Sequence, residues 1–239
     1  YRYWCLFFLT FAFCGCTSEL FLPQPRSFSQ EDLPLCVSRD CPKIAIEYLL
    51  YTPQNNREKQ LNKAINSFIA ASLYLEDPTK EPTALTTQEA AKGFVSSYWR
   101  DHAEFPDLAA EYFVEAQVTE VYRDEAVLSL EFKQYKYTGG AHGFQDISYI
   151  NFNIKTGERL TNQTIFKDYD AFKDFVEITF RKKFAILPQR NINSNYFWFD
   201  DNVFTMPNSL GFNQDSLVLH YNQHEIRRSF VAAKGEIRW

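Results

Sequence analysis

The sequence has no excess of basic residues and no hydrophobic run long enough to cross a membrane. Its 25 Lys and Arg residues are scattered along the chain and are outnumbered by 30 Asp and Glu residues, which gives a formal charge of −5. Nucleic-acid binding is not expected, because proteins that bind nucleic acids usually carry a basic stripe or patch. The apolar run within Tyr1–Gly15 is shorter than the roughly 20 residues that a transmembrane helix needs.

Cysteine is also scarce, and its positions argue against a metal centre. Three of the five cysteines fall within the first 16 residues, which leaves Cys36 and Cys41 for the rest of the chain. Because no second cysteine pair is present to complete a four-ligand zinc site, we expect a structural disulfide between these two residues or two separate thiols. The pair His220 and His224 lacks the glutamate of a zinc-protease helix. We therefore expect no metal and no cofactor.

The composition is that of a folded chain rich in β-structure. With 239 residues, 45% of them hydrophobic, the chain is long enough for one large domain or two small ones with a buried core. Aromatic residues make up 17% of the chain, with 23 Phe and 14 Tyr. Such side chains are enriched in β-sheets.

The first residues are typical of a secretory signal. A basic residue is followed by apolar residues as far as Gly15, and the chain becomes polar after Cys16. A small residue before a cysteine at this point is typical of a bacterial lipobox, which predicts a signal peptide over residues 1–16 and a diacylated Cys16 that holds the protein at the membrane. Cys14 is a second candidate for the lipidated residue. An ordinary signal peptide and a buried N-terminal strand are the alternatives.

A flexible tether is predicted between this signal and the folded part. Residues 17–42 are rich in Ser, Pro, Gln and acidic residues, a composition that buries little surface. The predicted location is the bacterial cell envelope, with a lipid-anchored domain that faces the periplasm or the outer membrane.

Alternating and periodic apolar patterns predict the elements of the folded part. Apolar residues at helical spacing predict a helix around residues 61–69, a second one that starts near Thr86, and a third around 170–184. Alternation predicts strands at Lys43–Leu50, Tyr112–Val121, Ala126–Tyr137, Ile147–Ile154, Ser216–Tyr221 and Ile226–Val231. Because the strands occur in neighbouring pairs, we expect an α+β fold, with an antiparallel sheet and helices packed on one face.

One glycine-rich motif stands out from the rest of the sequence. Three of the eight glycines, Gly139, Gly140 and Gly143, lie in the heptapeptide that runs from Tyr137. Glycine is needed where the backbone adopts a positive φ or approaches another group closely. One interpretation is a binding loop in which the backbone cradles a ligand and His142 is a donor or a base. The other is a tight connection between two strands with His142 hydrogen-bonded into the core, which we favour because no acidic or nucleophilic partner for His142 can be identified.

An aromatic run, Tyr196–Phe199, is a second candidate site. Its aromatic rings, Trp198 in particular, suit stacking against sugar rings, although core packing is the commoner use of such residues. The adjacent Asp200 and Asp201 are candidates for calcium ligands or for the carboxylates of a glycosidase, but such pairs more often form solvated turns.

The glycine-rich motif and several other segments resemble the PdaC/RsiV family, whose members combine DUF4163 and DUF3298 domains. The resemblance rests on Tyr137–Gly143, on the strand and turn from Tyr149 to Glu158, on Ile165 and Phe166, and on the segment from Leu210 to Ile226. It implies a DUF4163-like (PdaC) region over residues 43–137 and a DUF3298-like region over residues 138–239, which form one continuous globular unit.

The resemblance implies a binding or sensing domain outside the cytoplasm rather than an enzyme. Its implied partners are peptidoglycan-related glycan or a lysozyme-like protein. Deacetylase activity is not expected, because nothing in this sequence resembles the NodB-type catalytic domain of the family's deacetylases. The alternative function is a small envelope hydrolase in which His142 works with an acidic partner.

Overall fold

The computed structural model describes residues 21–77, 79–107, 110–222, 225–226 and 235–237. The signal peptide predicted over residues 1–16 and the lipid anchor predicted at Cys16 lie outside these residues. No helix within the described residues is long and apolar enough to cross a membrane.

The described residues form three runs of strands, and a pair of α-helices separates each run from the next. The helices are α1 (Asn56–Leu73), α2 (Thr87–Glu104), α3 (Asn162–Ile165) and α4 (Tyr169–Lys183). The strands are β1 (Gln24–Ser29), β2 (Lys43–Leu50), β3 (Phe113–Arg123), β4 (Val127–Tyr137), β5 (Phe144–Asn153), β6 (Arg159–Leu160), β7 (Ser209–Asn213), β8 (Ser216–Tyr221) and β9 (Gly235–Ile237). Short 3-10 helices lie at Gln30–Asp32, Pro34–Cys36, Ile192–Asn195 and Asp200–Asn202.

Strands β1 to β6 form one sheet in which their order in space follows their order in the chain. Strands β2 and β3 are parallel, and α1 and α2 make the crossover between them. Every other neighbouring pair in this sheet is antiparallel. Strands β7, β8 and β9 form a second, antiparallel sheet. The predicted α+β fold is thus confirmed.

Helix α1 begins at a capping box. The side chain of Asn55 accepts a hydrogen bond from the backbone N–H of Arg57 at 2.8 Å, and the carboxylate of Glu58 accepts one from the backbone N–H of Asn55 at 2.9 Å. Farther along the helix, Leu61 and Ile65 are buried against the sheet together with residues of α2. Full burial of such a side chain contributes about 1.5–3 kcal/mol.

A second core lies around Phe180 of α4. The Phe180 ring is fully buried, and its centroid lies 4.7–5.8 Å from the rings of Phe184, Phe197, Phe199, Phe204 and Tyr221. These distances are typical of favourable aromatic pairs. We refer to α3, α4, β7 and β8, which surround this core, as the C-terminal unit.

The C-terminal unit is attached to β5 of the large sheet through β7. The hydroxyl of Ser209 accepts a hydrogen bond from the backbone N–H of Tyr149 at 2.8 Å, and Nδ2 of Asn151 donates one to the carbonyl of Leu210 at 2.8 Å. The ring of Tyr149 occupies the space that a Cβ at Gly211 would fill, so glycine is required for this close approach.

Two predictions about domain organisation can be compared with this fold. Residues 17–42 were predicted to be a flexible tether, and this was wrong for Gln24–Ser29, which pairs with β2 along its whole length. The backbone of β1 supplies hydrogen bonds to the outer edge of β2, so pairing does not depend on apolar side chains. The predicted boundary at residues 137 and 138 falls between β4 and β5, which are neighbours in the same sheet.

Candidate functional site

The glycine-rich heptapeptide forms the connection between β4 and β5. Gly139 and Gly140 both have positive φ angles, +93° and +94°, which other residues rarely adopt. The hydroxyl of Tyr137 donates a hydrogen bond to the carbonyl of Gly140 at 3.0 Å. This hydrogen bond joins the first residue of the heptapeptide to its fourth and so stabilises the loop.

The third glycine of this motif makes room for a tyrosine. A Cβ at Gly143 would overlap the ring of Tyr135, which lies across the hairpin. His142 is exposed, and its Nδ1 lies 3.3 Å from the carbonyl oxygen of Gly143. Among the described residues, no carboxylate makes a hydrogen bond or ion pair with His142, and no cluster of acidic, His and Cys side chains is able to hold a metal. The loop is thus a tight connection between two antiparallel strands, as the favoured interpretation has it, but the expected hydrogen bond of His142 into the core was wrong, because the side chain is exposed.

The aromatic segment (Tyr196–Phe199) has two buried and two exposed rings. Phe197 and Phe199 are 5% and 3% exposed and pack into the core of the C-terminal unit. Tyr196 and Trp198 are 74% and 65% exposed. The buried rings thus anchor a segment that presents its other two rings to solvent.

The side chain of Asn193 fixes this segment. Its Oδ1 accepts a hydrogen bond from the backbone N–H of Phe199 at 2.7 Å, and its Nδ2 donates to the carbonyl of Phe199 at 2.9 Å. Nδ2 of Asn193 also donates to Oδ1 of Asn202 at 3.0 Å. These bonds tie the last residue of the aromatic segment to the 3-10 helix (Ile192–Asn195) that precedes the segment.

The backbone around the aromatic segment is strained. Tyr196, Asp201 and Asn202 have φ angles of +67°, +50° and +59°. A residue other than glycine pays a cost of order 1–3 kcal/mol for such a conformation, and positions of this kind concentrate at functional sites. The exposed carboxylates of Asp200 and Asp201 lie next to the aromatic residues in the chain. This combination makes the segment the strongest candidate for a recognition surface.

A cluster of aromatic and charged side chains holds Phe21, the first described residue, against the domain. The ring of Phe21 stacks on Tyr51, and the guanidinium groups of Arg57 and Arg123 lie 3.7 Å and 4.8 Å from its centre. Arg123 forms two hydrogen bonds of 2.6 Å with the carboxylate of Glu120. Burial, together with the charge of Glu120, raises the pKa of the Tyr51 hydroxyl above its usual range. No sequence pattern indicates this cluster, because its members are far apart in the chain.

Cys36 and Cys41 form a disulfide bond. The loop that it closes packs on α2: the indole Nε1 of Trp99 donates to the carbonyl of Asp40 at 2.7 Å, and the guanidinium of Arg39 lies 3.9 Å from the centre of the Trp99 ring. The disulfide thus constrains a loop next to the edge of the large sheet.

Comparison with known proteins agrees with this architecture. Residues 37–145, less than half of the chain, match the family model described as Deacetylase PdaC. This match includes the whole of the region 43–137 that was predicted to be PdaC-like. Among curated proteins, none matches the chain.

Two crystal structures of DUF3298 family proteins have a similar fold. One, from Pseudomonas aeruginosa PAO1, has a TM-score of 0.57 and 17% sequence identity, with 91% of this chain and 88% of that chain covered. The other, from Bacteroides fragilis NCTC 9343, has a TM-score of 0.64 and 17% identity, with 91% and 90% covered. The chain therefore has the fold of these DUF3298 family structures, and its residues 37–145 are similar to the PdaC family.

Proposed function

We propose that this protein is a lipid-anchored binding domain of the bacterial cell envelope that recognises peptidoglycan-related glycan through Tyr196 and Trp198. The observation that carries this proposal is the exposure of these two rings on a segment whose neighbouring rings are buried. Large aromatic side chains that are exposed in this way are characteristic of recognition surfaces.

The chemistry of the aromatic segment suits a sugar. The flat apolar faces of Tyr196 and Trp198 match the C–H faces of a pyranose ring, and both side chains carry a polar group at the edge. The exposed carboxylates of Asp200 and Asp201 are acceptors for sugar hydroxyl groups. Because Asn193 already holds the segment in place, little conformational entropy is lost on binding.

Two features support a location outside the cytoplasm. The Cys36–Cys41 disulfide is of the kind that persists in oxidising compartments. The apolar N-terminal run that ends at Cys16 supplies the proposed signal peptide and lipid anchor.

Calorimetric titration of the purified protein with soluble peptidoglycan fragments tests this function. We expect saturable binding that weakens at least tenfold, equivalent to about 1.4 kcal/mol, in Trp198→Ala. Phe105→Ala is the matched control, because Phe105 is an exposed aromatic residue at the end of α2. This control and His142→Ala are expected to bind like the parent.

A lysozyme-like protein is the second candidate partner, and c-type lysozyme provides the other arm of the experiment. Binding of lysozyme but not of glycan, with loss in Trp198→Ala, would overturn the glycan as ligand and keep the aromatic segment as the recognition surface. If neither partner binds, or if Phe105→Ala weakens binding as much as Trp198→Ala, the proposed function is wrong.

A further inference from the structure

The start of the described chain is fixed to the large sheet. The ring of Phe21 is partly buried against the core, and its centre lies 5.0 Å from the ring of Tyr51 and 3.7 Å from the guanidinium of Arg57. Nη1 of Arg123 donates a hydrogen bond of 2.6 Å to the carbonyl of Phe21. Strand β1 begins soon afterwards, at Gln24, and pairs with β2 along its whole length. The chain is thus held to the domain from Phe21 onwards.

One end of the large sheet carries these contacts, and we call it the attached end. Strand β1 begins there at Gln24, opposite Leu50 of β2, and the turns from β3 to β4 and from β5 to β6 lie at the same end. The glycine-rich loop joins β4 and β5 at the opposite end, which we call the far end. Strand β4 runs from one end to the other and is about 35 Å long.

The chain between the proposed lipid anchor and the attached end is short. Four residues, 17–20, separate Cys16 from Phe21. Even when fully extended, this link spans at most about 18 Å, and a link that starts at Cys14 spans about 25 Å. A flexible tether over the whole of residues 17–42 would instead extend to about 90 Å. The link is therefore shorter than the sheet is long, which keeps the attached end close to the anchor.

We propose that the attached end of the large sheet lies against the membrane surface and that the far end, with the glycine-rich loop, points away from it. This inference rests on the lipid anchor of the proposed function. The surface that the attached end faces is the phospholipid surface that holds the anchor. Asp124, Glu125 and Lys155 are exposed at this end and carry charges of both signs. The length of the link, rather than electrostatic attraction, thus sets the orientation.

This orientation holds the aromatic segment away from the membrane. Phe212, which pairs with the start of β8, donates its backbone N–H to Oγ of Ser129 near the attached end, at 3.2 Å. Asn222, which follows β8, bonds to Ile147, farther along β5 towards the far end. Strand β8 therefore runs away from the attached end. The last ring of the aromatic segment lies 6.1 Å from the ring of Tyr221, at the end of β8 that is farther from the membrane.

Energy transfer between the protein and a membrane measures this orientation. The lipidated full-length protein is reconstituted on vesicles of phosphatidylethanolamine and phosphatidylglycerol whose outer leaflet carries a rhodamine-labelled lipid as acceptor. A donor dye is attached at Thr156→Cys, in the exposed turn at the attached end, or at Ala141→Cys, in the exposed part of the glycine-rich loop. We expect the donor at position 141 to lie farther from the acceptor by at least about 15 Å, close to half the length of β4.

A longer link provides the control. Insertion of a flexible Gly–Ser segment of about 20 residues after Ser18 is expected to remove most of the difference between the two donors, because the domain can then turn freely. Equal distances in the parent protein overturn the proposal. A difference that survives the insertion undiminished also overturns it, because the length of the link would then not set the orientation.

A second variant tests the contacts of Phe21. Phe21→Ala releases the chain as far as Gln24 and is expected to move the donor at position 156 away from the membrane by up to about 11 Å. Leu22→Ala, at the exposed neighbouring side chain, is the matched control and is expected to leave both donor distances unchanged.

Mass spectrometry of the purified protein separates the anchor from the orientation. An acylated Cys16 together with equal donor distances overturns the orientation and leaves the proposed glycan recognition in place. A protein without an acyl group at Cys16 or Cys14 overturns both the lipid anchor and this inference. The glycan titration with Trp198→Ala tests recognition independently of either result.

Discussion

The side chain of Asn222 makes two hydrogen bonds with the backbone of Ile147 in β5, in the place where a neighbouring strand would pair. Its Oδ1 accepts a hydrogen bond from the backbone N–H of Ile147 at 2.9 Å, and its Nδ2 donates one to the carbonyl of Ile147 at 2.9 Å. Strand β6 pairs only with Asn151 and Phe152, so it does not reach this part of β5. An open strand edge can pair with another chain. Asn222 closes this edge and ties the C-terminal unit to the large sheet.

Replacement of Asn222 by alanine is therefore expected to destabilise the protein by about 2 kcal/mol, since it leaves two backbone groups of β5 unpaired. Urea unfolding followed by circular dichroism measures this loss, and amide exchange at Ile147 is expected to accelerate. Gln145→Ala, at an exposed side chain of the same strand, serves as the control. If Asn222→Ala unfolds at the same urea concentration as this control, the bond pair does not stabilise the junction.

Gly157 is expected to tolerate alanine less well than Gly140, although both have positive φ angles, of +74° and +94°. A Cβ at Gly157 would lie 2.6 Å from the Cα and the carbonyl oxygen of Arg57, whereas one at Gly140 would meet open space. Both variants carry the strain of an unfavourable backbone, but only Gly157→Ala also displaces the start of α1. We expect Gly157→Ala to lower the free energy of unfolding by about 1–3 kcal/mol more than Gly140→Ala does.

Thermal unfolding of the two variants side by side measures this difference. Equal losses of stability would mean that the turn at Gly157 moves away from α1 without cost. The backbone strain common to both variants makes Gly140→Ala a close control.

The sequence predicted several elements whose side chains face a core, but it missed the short strand β7, whose first three residues are buried. Strand β2 was predicted with the bounds that the structure has, because Ile44 and Ile46 alternate with polar residues and are buried. Strand β1 was missed, because Gln24–Ser29 is an edge strand whose first four residues are exposed. Such a strand pairs through its backbone, which leaves no apolar alternation in the sequence.

For the aromatic segment, the sequence predicted where a candidate site lies in the chain but not which of its side chains face solvent. Tyr196–Phe199 is a run of four aromatic residues, and a run in which every residue is aromatic does not show which rings are buried and which face solvent.

The environment of Glu58 makes the stability of the protein depend on pH. Its side chain is 3% exposed, and one carboxylate oxygen lies 2.6 Å from a guanidinium nitrogen of Arg57. Burial alone would raise the pKa of this carboxyl group. The hydrogen bonds from Arg57 and from the backbone N–H groups at the start of α1 outweigh burial and hold the pKa below its ordinary value of 4.5.

Because the folded state lowers this pKa, protonation of Glu58 favours unfolding. The stabilisation is fully present above about pH 4.5, the pKa in the unfolded chain, and is lost as the pH falls through the lower pKa of the folded state. Glu58→Gln cannot ionise, so its free energy of unfolding is expected to be lower than that of the parent at neutral pH and to fall less steeply in acid. Urea unfolding between about pH 7 and pH 3 measures how the free energy of unfolding changes with pH in the parent and in Glu58→Gln. Glu104→Gln, at an exposed glutamate at the end of α2, is expected to follow the parent, and parallel curves for Glu58→Gln and the parent would contradict this role of the ion pair.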